Sequence, residues 1–127
     1  MRVQLVPATR EDIDLFTIEN YGQPAVIPTR MIALAAKLEG RILGIGGVAL
    51  YPNGVQYAFV SASEDAKKYP VAFHRAGKAA LELFRKRGIK RVVATARTSG
   101  ITGERWLLRL GFEKITFKGE DAYVIVL

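Results

Sequence analysis

The chain has 127 residues, 50% of them hydrophobic, and no cysteine. This composition matches one domain with its own core, and it excludes a disulfide scaffold, a thiol nucleophile and zinc held by cysteine. The formal net charge is +7. All of it falls in the second half, because residues 1–60 hold five basic and five acidic side chains and residues 61–127 hold fourteen and seven. We predict a single domain over residues 1–127 of a cytoplasmic protein, neither exported nor spanning a membrane, because no stretch approaches the roughly 18 apolar residues of a membrane helix.

The first 61 residues predict a strand, a helix and a three-stranded meander. Residues 3–7 alternate in hydrophobicity, and Thr9, three residues before Asp12, is typical of a helix N-cap. Residues 20–30 contain glycine and two prolines, which predict an irregular loop. Three β-rich segments follow, with turns at Glu39-Gly40 and Pro52-Asn53-Gly54: residues 31–38, 42–50 and 55–61.

The second half predicts one parallel crossover and a final antiparallel pair. A helix over residues 70–87 begins at Pro70, which is tolerated in a first turn, and Gly88 ends it. Residues 91–97 then predict a short strand parallel to the strand before the helix. A second helix, closed by Gly111, and two strands complete the order β α β β β α β α β β: residues 102–110, 112–117 and 122–127.

Two short stretches resemble the start and the end of one known family. Residues 6–13 (VPATREDI) are similar to the opening of the GCN5-related N-acetyltransferases, and residues 104–112 (ERWLLRLGF) are similar to the family's closing helix and strand. The predicted element order is also the order of that fold, so the resemblance spans the whole chain. It implies an α+β (mixed α/β) fold with a central mixed sheet of about six or seven strands and helices on both faces. Residues 70–75 (PVAFHR), in a short basic chain, also resemble members encoded in phages and prophages.

The resemblance implies acyl transfer. Such an N-acyltransferase moves an acetyl group from acetyl-CoA, its cosubstrate, to a primary amine of a small molecule or protein by direct attack on the thioester. Backbone N–H groups at Val60, Ser61 and Ala62 would polarise the thioester carbonyl. The competing hypothesis is a catalytically silent module of this fold that binds a protein partner or serves in a phage particle. A nucleic-acid-binding role rests on the net charge alone and ranks third.

The family's phosphate-binding motif is changed in this chain. By its distance from the end of the helix, the motif falls on Lys68, Val71 and Phe73, where the family keeps residues that let backbone N–H groups approach a pyrophosphate. We expect the two apolar side chains to crowd a phosphate, and Pro70 to remove one N–H donor.

Basic side chains close to this motif could replace the lost backbone contacts to the pyrophosphate. Lys67, Lys68 and Arg75 cluster where the resemblance places the CoA phosphates, and their charges could replace backbone contacts. A rival alignment of the motif, on residues 74–79, leaves a helix of barely nine residues and is set aside. The candidate cofactor-binding residues are therefore Val60, Ser61, Ala62, Lys68, Val71, Ala72, Phe73 and Arg75.

The family's usual proton donor is changed as well. A tyrosine four residues before the glycine of the closing Gly-Phe pair can protonate the leaving thiolate, and here that position is Leu107. An asparagine that usually opens the same helix corresponds to Gly100. Proton transfer would then use water or a hydroxyl of Tyr57 or Ser99, with Glu64 as candidate base or amine anchor. These three are the catalytic candidates, and no metal ligand is assigned.

Several of these side chains also have a purely structural interpretation. Tyr57 would pack on the sheet with its hydroxyl at the rim, and Glu64 would cap the following helix. Trp106, at helical spacing from Leu110, would cover the sheet. His74, the only histidine, is a general base only as a minor alternative. The sequence assigns no membrane or nucleic-acid partner, and it leaves the oligomeric state open, with a homodimer as one alternative.

Overall fold

The computed structural model describes residues 3–22, 30–50, 56–95 and 103–127 of the chain. Three predicted features therefore lie outside the described residues: the loop at 23–29, the turn at 52–54, and the segment 96–102 with Ser99 and Gly100. A short 3₁₀ helix, which the sequence did not predict, lies at Glu64–Lys68. The strands are β1 Gln4–Pro7, β2 Met31–Leu38, β3 Arg41–Leu50, β4 Gln56–Ala62, β5 Arg91–Ala94, β6 Glu113–Phe117 and β7 Glu120–Val126, and the helices are α1 Arg10–Tyr21, α2 Pro70–Lys86 and α3 Glu104–Leu110.

All seven described strands belong to one mixed sheet in the order β1-β2-β3-β4-β5-β7-β6. Neighbouring strands are antiparallel except β4 and β5, which are parallel because α2 connects them. The predicted element order and the mixed sheet are confirmed. None of the described helices has the length and apolar character needed to span a membrane.

The start of α1 is fixed by its cap. The Thr9 side chain accepts a hydrogen bond from the Asp12 amide at 3.1 Å, and the Asp12 carboxylate accepts one from the Thr9 amide at 2.9 Å. The predicted loop from residue 20 begins too early, because the helix continues through Tyr21 and ends at Gly22 with a φ of 80°. The Asn20 side chain donates to the Phe16 carbonyl at 2.9 Å, which satisfies a carbonyl in this last turn.

Two-residue turns set the register of both described hairpins. Glu39 and Gly40 have φ values of 51° and 81°, and Lys118 and Gly119 have values of 52° and 79°. Positive φ at both positions suits the twist of a hairpin. The first turn is confirmed at its predicted place. The turn at Lys118 and Gly119 is shorter than the connection over residues 118–121 that the predicted strands imply, because β7 already begins at Glu120.

The sheet buries both of its faces under helices. Ala33 and Ala35 of β2 pack against Ile13 and Phe16 of α1, and this side is called the α1 face. Leu34, between them, lies on the opposite side in a cluster with residues of α2 and α3, and this side is called the α2 face. Alternation along β2 thus determines which helix each side chain meets, and the predicted helices on both faces are confirmed.

Candidate functional site

Two parallel strands, β4 and β5, lie side by side within the sheet. β4 and β5 pair at a single described position, Tyr57 with Val93. β5 ends at Ala94, shorter than the predicted segment 91–97, whereas β4 continues to Ala62 and pairs there with β3. The region between the C-terminal ends of these two parallel strands is called the gap, and it is the usual place for a ligand in a sheet with crossover helices.

The N-terminus of α2 follows this end of β4. Pro70 is the first helical residue, and the residue before it, Tyr69, provides no side-chain cap. The Phe73 amide donates to the Tyr69 carbonyl at 3.0 Å, so the amides of Val71 and Ala72 are the ones that lack an intrahelical acceptor. The predicted loss of one donor at Pro70 thus leaves two amides at the positive end of the helix dipole.

The two apolar residues of the changed motif point in different directions. The Val71 side chain is 64% exposed, whereas Phe73 is 4% exposed and belongs to a buried cluster. A Cβ placed on Gly44 would lie 2.7 Å from Phe73 Cε1, so the ring packs directly on the backbone of β3. Phe73 is therefore a core residue, and only Val71 shares the exposed end of the helix with the free amides.

The three cations of the predicted cluster differ in their ion pairs. Lys67 Nζ lies 3.5 Å from Glu64 Oε2, and Lys68 Nζ lies 3.6 Å from Asp65 Oδ1. Both pairs lie on the surface within the 3₁₀ helix, where two acidic residues offset two basic ones. Arg75 is exposed and has no hydrogen bond or ion pair with another described residue. Of the three, it carries the charge that is not offset locally.

A partly open cavity lies between the α2 face and helices α2 and α3. Its volume is about 90 Å³, or about 630 Å³ when the open solvent at its mouth is counted. Its wall contains no charged side chain. Alanines on the strands and on α2 line part of the cavity, whereas the rings of Phe73 and Trp106 cover Gly44 and Gly77. The lining residues are Leu5, Leu34, Ala36, Gly44, Ile45, Gly46, Gly47, Ala58, Val60, Phe73, Ala76, Gly77, Ala80, Leu81, Phe84, Trp106, Leu107, Leu110 and Phe112.

Trp106 of α3 lies at the end of this cavity nearest the gap. Its ring centroid is 5.2 Å from that of Phe73, and a Cβ placed on Gly77 of α2 would lie 2.9 Å from its Cζ2 atom. Like Val60 and Ala62 of β4, it packs against the buried cluster that contains Phe73. The prediction that Trp106 covers the sheet is confirmed. Its Nε1 atom is nevertheless buried and has no hydrogen-bond partner among the described residues.

Comparison with solved structures identifies this architecture. An IAA acetyltransferase from Bacillus cereus ATCC 14579 superimposes with a TM-score of 0.69, covering 98% of this chain and 99% of its own at 15% identity. A GNAT-family acetyltransferase from Staphylococcus aureus Mu50 gives 0.68, with 98% and 99% coverage at 10% identity. The aminoglycoside acetyltransferase AAC(6')-Ib in complex with coenzyme A gives 0.66, with 98% and 94% coverage at 15% identity.

The chain has the GCN5-related N-acetyltransferase fold. At these identities the likeness shows the acetyltransferase fold alone. No protein-family model matches the sequence, and no curated protein matches it either.

In this acetyltransferase fold, Leu107 stands at the position where the resemblance places a tyrosine. It is 5% exposed and packs in the core with Phe84 and Tyr123. A phenol hydroxyl is present one helical turn away, because Tyr123 of β7 donates a hydrogen bond to the carboxylate of Glu104 at the start of α3. Tyr123 pairs in register with Ala94, the last residue of β5. The hydroxyl therefore lies on the β5 side of the α2 face.

Tyr123 and Glu104 belong to a small charged network. Lys114 Nζ lies 3.5 Å from Glu104 Oε2 and 3.4 Å from Asp121 Oδ2. The hydrogen bond from Tyr123, with the nearby Lys114, lowers the pKa of Glu104, and the same hydrogen bond raises the pKa of Tyr123. The carboxylates of Asp121 and Glu104 raise the pKa of Lys114. No local sequence signal indicates this network, because the pairing of β7 with both β5 and β6 brings its members together.

The candidate site residues of β4 do not all lie on one face of the sheet. Tyr57 and Ser61 project to the α1 face, whereas Val60 and Ala62 project to the α2 face, as alternation along β4 requires. Glu64 lies in the first turn of the 3₁₀ helix and is exposed, so it does not cap α2. The described residues contain no group of three acidic or histidine side chains that could hold a metal ion.

Proposed function

We propose that the protein is an N-acyltransferase that transfers the acetyl group of acetyl-CoA to a primary amine. The observation that carries the proposal is the gap between β4 and β5 beside the uncapped N-terminus of α2. A thioester needs such a gap to reach the strand backbone, and its phosphates need a positive helix end. A solved neighbour with the same fold, AAC(6')-Ib, is a complex with coenzyme A.

The phosphates would be held by a reduced backbone cradle and by side-chain charge. The amides of Val71 and Ala72 point out of the positive end of α2. Arg75, one turn further along, has a guanidinium that can bind two phosphate oxygens at once. Lys68 would contribute less, because Asp65 already offsets its charge. Phe73 would support this end of the helix from below without touching the phosphates.

The reaction would be a direct transfer. The amine nitrogen attacks the thioester carbonyl carbon, a C–N bond forms, the C–S bond breaks, and CoA leaves as a thiolate. The nitrogen loses one proton and the thiolate gains one, so the step is balanced without an oxidant or reductant. The backbone N–H group of Val60, which the alternation of β4 directs towards β5, would stabilise the negative oxygen of the intermediate, whereas that of Ser61 is directed to β3. Holding the two reactants together supplies most of the acceleration.

Proton transfer would depend on a group other than Leu107. We propose water or a hydroxyl of Tyr57 or Ser99 as the donor and Glu64 as the base or amine anchor. Loss of a positioned acid lowers a rate by about 10²-fold to 10⁴-fold, so turnover should be slow. The acceptor is a small-molecule or protein amine. We place the single domain of residues 1–127 in the cytoplasm, either alone or as a homodimer.

A second candidate function is a catalytically silent module that binds a protein partner, in a phage particle or elsewhere. The contact between Phe73 and Trp106 favours it, because two large rings lie beside the gap through which a thioester would enter. The burial of Leu107 is also compatible with a lost activity.

A transfer assay separates the two candidates. The protein would be incubated with acetyl-CoA and a panel of primary amines, with the released thiol detected by a thiol reagent and the acetylated amine by mass spectrometry. Because the chain has no cysteine, the protein itself adds no thiol background. The enzyme hypothesis predicts equal amounts of CoA and acetylated amine above a control without protein. Binding of acetyl-CoA with no product from any amine would favour the silent module.

A further inference from the structure

The cavity beneath α2 is longer and more apolar than an acetyl group requires. We propose that it binds the hydrocarbon chain of a longer acyl thioester, so that the preferred donor carries a medium or long acyl chain. This inference rests on the proposed acyl transfer and names its donor class. It is carried by three observations: the shape of the cavity, the chemistry of its wall, and one buried donor at its end.

The cavity has the shape of a channel that follows helix α2. The helix contributes Phe73, Gly77, Ala80 and Phe84 to the wall, which recur at spacings of three and four over three turns. At about 1.5 Å per residue, this side of the wall is on the order of 16 Å long. A linear chain fits such a space better than a compact group does.

Small residues of the strands form the floor of the channel. Gly44 and Gly46 of β3 and Ala58 of β4 all line the α2 face at this point. Because the pleat directs alternate residues to the same side, these three positions form a nearly flat floor under the helix. Ala36 of β2 continues the floor towards β1.

The wall selects for hydrocarbon. Its side chains are aliphatic or aromatic throughout, so a charged or hydroxylated group placed there would lose its water without gaining partners. An alkyl chain gains from the same burial, and each methylene that leaves water should tighten binding about fourfold.

Trp106 supplies a hydrogen-bond donor at the end of the channel near the gap. Its Nε1–H is buried without an acceptor among the described residues, and an indole N–H can only donate. A buried donor left unpaired is destabilising. A carbonyl oxygen at the head of an acyl chain would provide the acceptor. Trp106 and Val60 of β4 both line the cavity, so that head would lie on the β4 side.

The test uses Trp106 as its own reporter, because it is the only tryptophan of the chain. Its fluorescence would be titrated with CoA and with acetyl-, butyryl-, octanoyl- and lauroyl-CoA. We expect the affinity to rise about fourfold per methylene until the channel is full, with a change in emission that the short donors do not give. An affinity that is the same for all four thioesters would overturn the inference and leave the proposed function intact.

Two variants test whether the chain lies in this cavity. Ala80→Leu fills the channel from α2, and Ala58→Leu fills it from β4. Either should leave the melting temperature of the free protein unchanged or higher, since it fills a cavity, and should reduce the affinity for lauroyl-CoA to that for acetyl-CoA. Ala79→Leu is the matched control, because residue 79 is exposed on the same helix and does not line the cavity.

The outcomes also separate this inference from the proposed function. Loss of chain-length dependence in Ala80→Leu or Ala58→Leu, but not in Ala79→Leu, supports the channel. Equal chain-length dependence in all three variants overturns it. If free laurate binds as tightly as lauroyl-CoA and CoA does not bind, the channel stands while the acyltransferase proposal fails.

Discussion

The rings of Phe73 and Trp106 meet at a centroid distance of 5.2 Å and an interplanar angle of 37°, joining the first turn of α2 to α3. Each ring rests against a glycine, Phe73 on Gly44 and Trp106 on Gly77. The pair thus fixes the two helices over the open end of the sheet. Its position beside the gap makes it both a support of the fold and one wall of the candidate site.

The first prediction concerns the strength of this ring pair. In a double-mutant cycle of Phe73→Leu and Trp106→Leu, the free energies of unfolding should be coupled by about 0.5–1.5 kcal/mol, the usual value for an aromatic pair. Urea denaturation of the four proteins measures the coupling. A cycle of Phe16→Leu with Trp106→Leu is the control, since Phe16 packs on the α1 face and Trp106 on the opposite side of the sheet. A coupling below about 0.3 kcal/mol would show that the rings only fill space.

The second prediction follows from the hydrogen bond between Tyr123 and Glu104. The pKa of Glu104 lies below the ordinary value of 4.5, so its contribution to stability is complete above that value and is lost as the pH falls through the folded-state pKa. The pKa of Tyr123 lies above 10.0, so its contribution is complete below that value and is lost as the pH rises through the folded-state pKa. The melting temperature of Tyr123→Phe should therefore differ most from that of the wild type between about pH 5 and pH 9.

The control for this prediction is Glu113→Gln, which removes a carboxylate from β6 at the position paired with Val124, on the opposite face of the sheet from Tyr123. Its melting profile against pH should run parallel to that of the wild type. A Tyr123→Phe profile that is also parallel would contradict the assignment, because the hydrogen bond would then contribute equally in all protonation states.

The third prediction concerns the charge of Arg75. Arg75→Ala should weaken acetyl-CoA binding strongly at low salt and little at high salt, since the screening length falls from about 10 Å at 0.1 M to about 3 Å at 1 M. Lys68→Ala should have a smaller effect, because Asp65 lies 3.6 Å from its ammonium group. Lys86→Ala, at the far end of the same helix, removes the same charge and is the control. Calorimetric titrations at both salt concentrations measure the affinity for acetyl-CoA. Equal losses of affinity in Arg75→Ala and Lys86→Ala would contradict a phosphate contact.

The fourth prediction is that a tyrosine at position 107 will not restore the missing acid. Leu107 is buried between Phe84 and Tyr123, so Leu107→Tyr places a larger, polar side chain in the core and should destabilise the protein by about 1–3 kcal/mol. The rate of CoA release should not rise. Leu107→Phe is the matched control for size without the hydroxyl. A rate that increases in Leu107→Tyr alone would show that the new hydroxyl reaches the site.

Local sequence signals were sufficient for most of the fold. The Thr9 cap, the Glu39-Gly40 turn, the proline that begins α2 and the glycines that end α2 and α3 each act within a few residues, so their effects can be predicted without knowing the tertiary structure. The β-rich composition of residues 31–38 likewise indicated a strand.

The site was less accessible to sequence analysis because it depends on distant pairing. Tyr123 and Glu104 are 19 residues apart and meet only because β7 pairs with β5. The sequence showed that Phe73 replaces a small residue, but only packing against Gly44 shows that its ring turns into the core. The cavity has no sequence signature, since glycines and alanines in strands and helices also occur where a neighbour fills the space.

The account is tested most directly by the melting temperature of the wild-type protein as a function of acetyl-CoA concentration. A ligand that binds only the folded state must stabilise it, by about 2.7 kcal/mol at a hundred times its Kd, which corresponds to a shift on the order of 10 °C for a domain of this size. We predict a melting temperature that rises with the logarithm of the acetyl-CoA concentration once the Kd is exceeded. A melting temperature that stays constant up to millimolar acetyl-CoA would contradict the acyltransferase proposal.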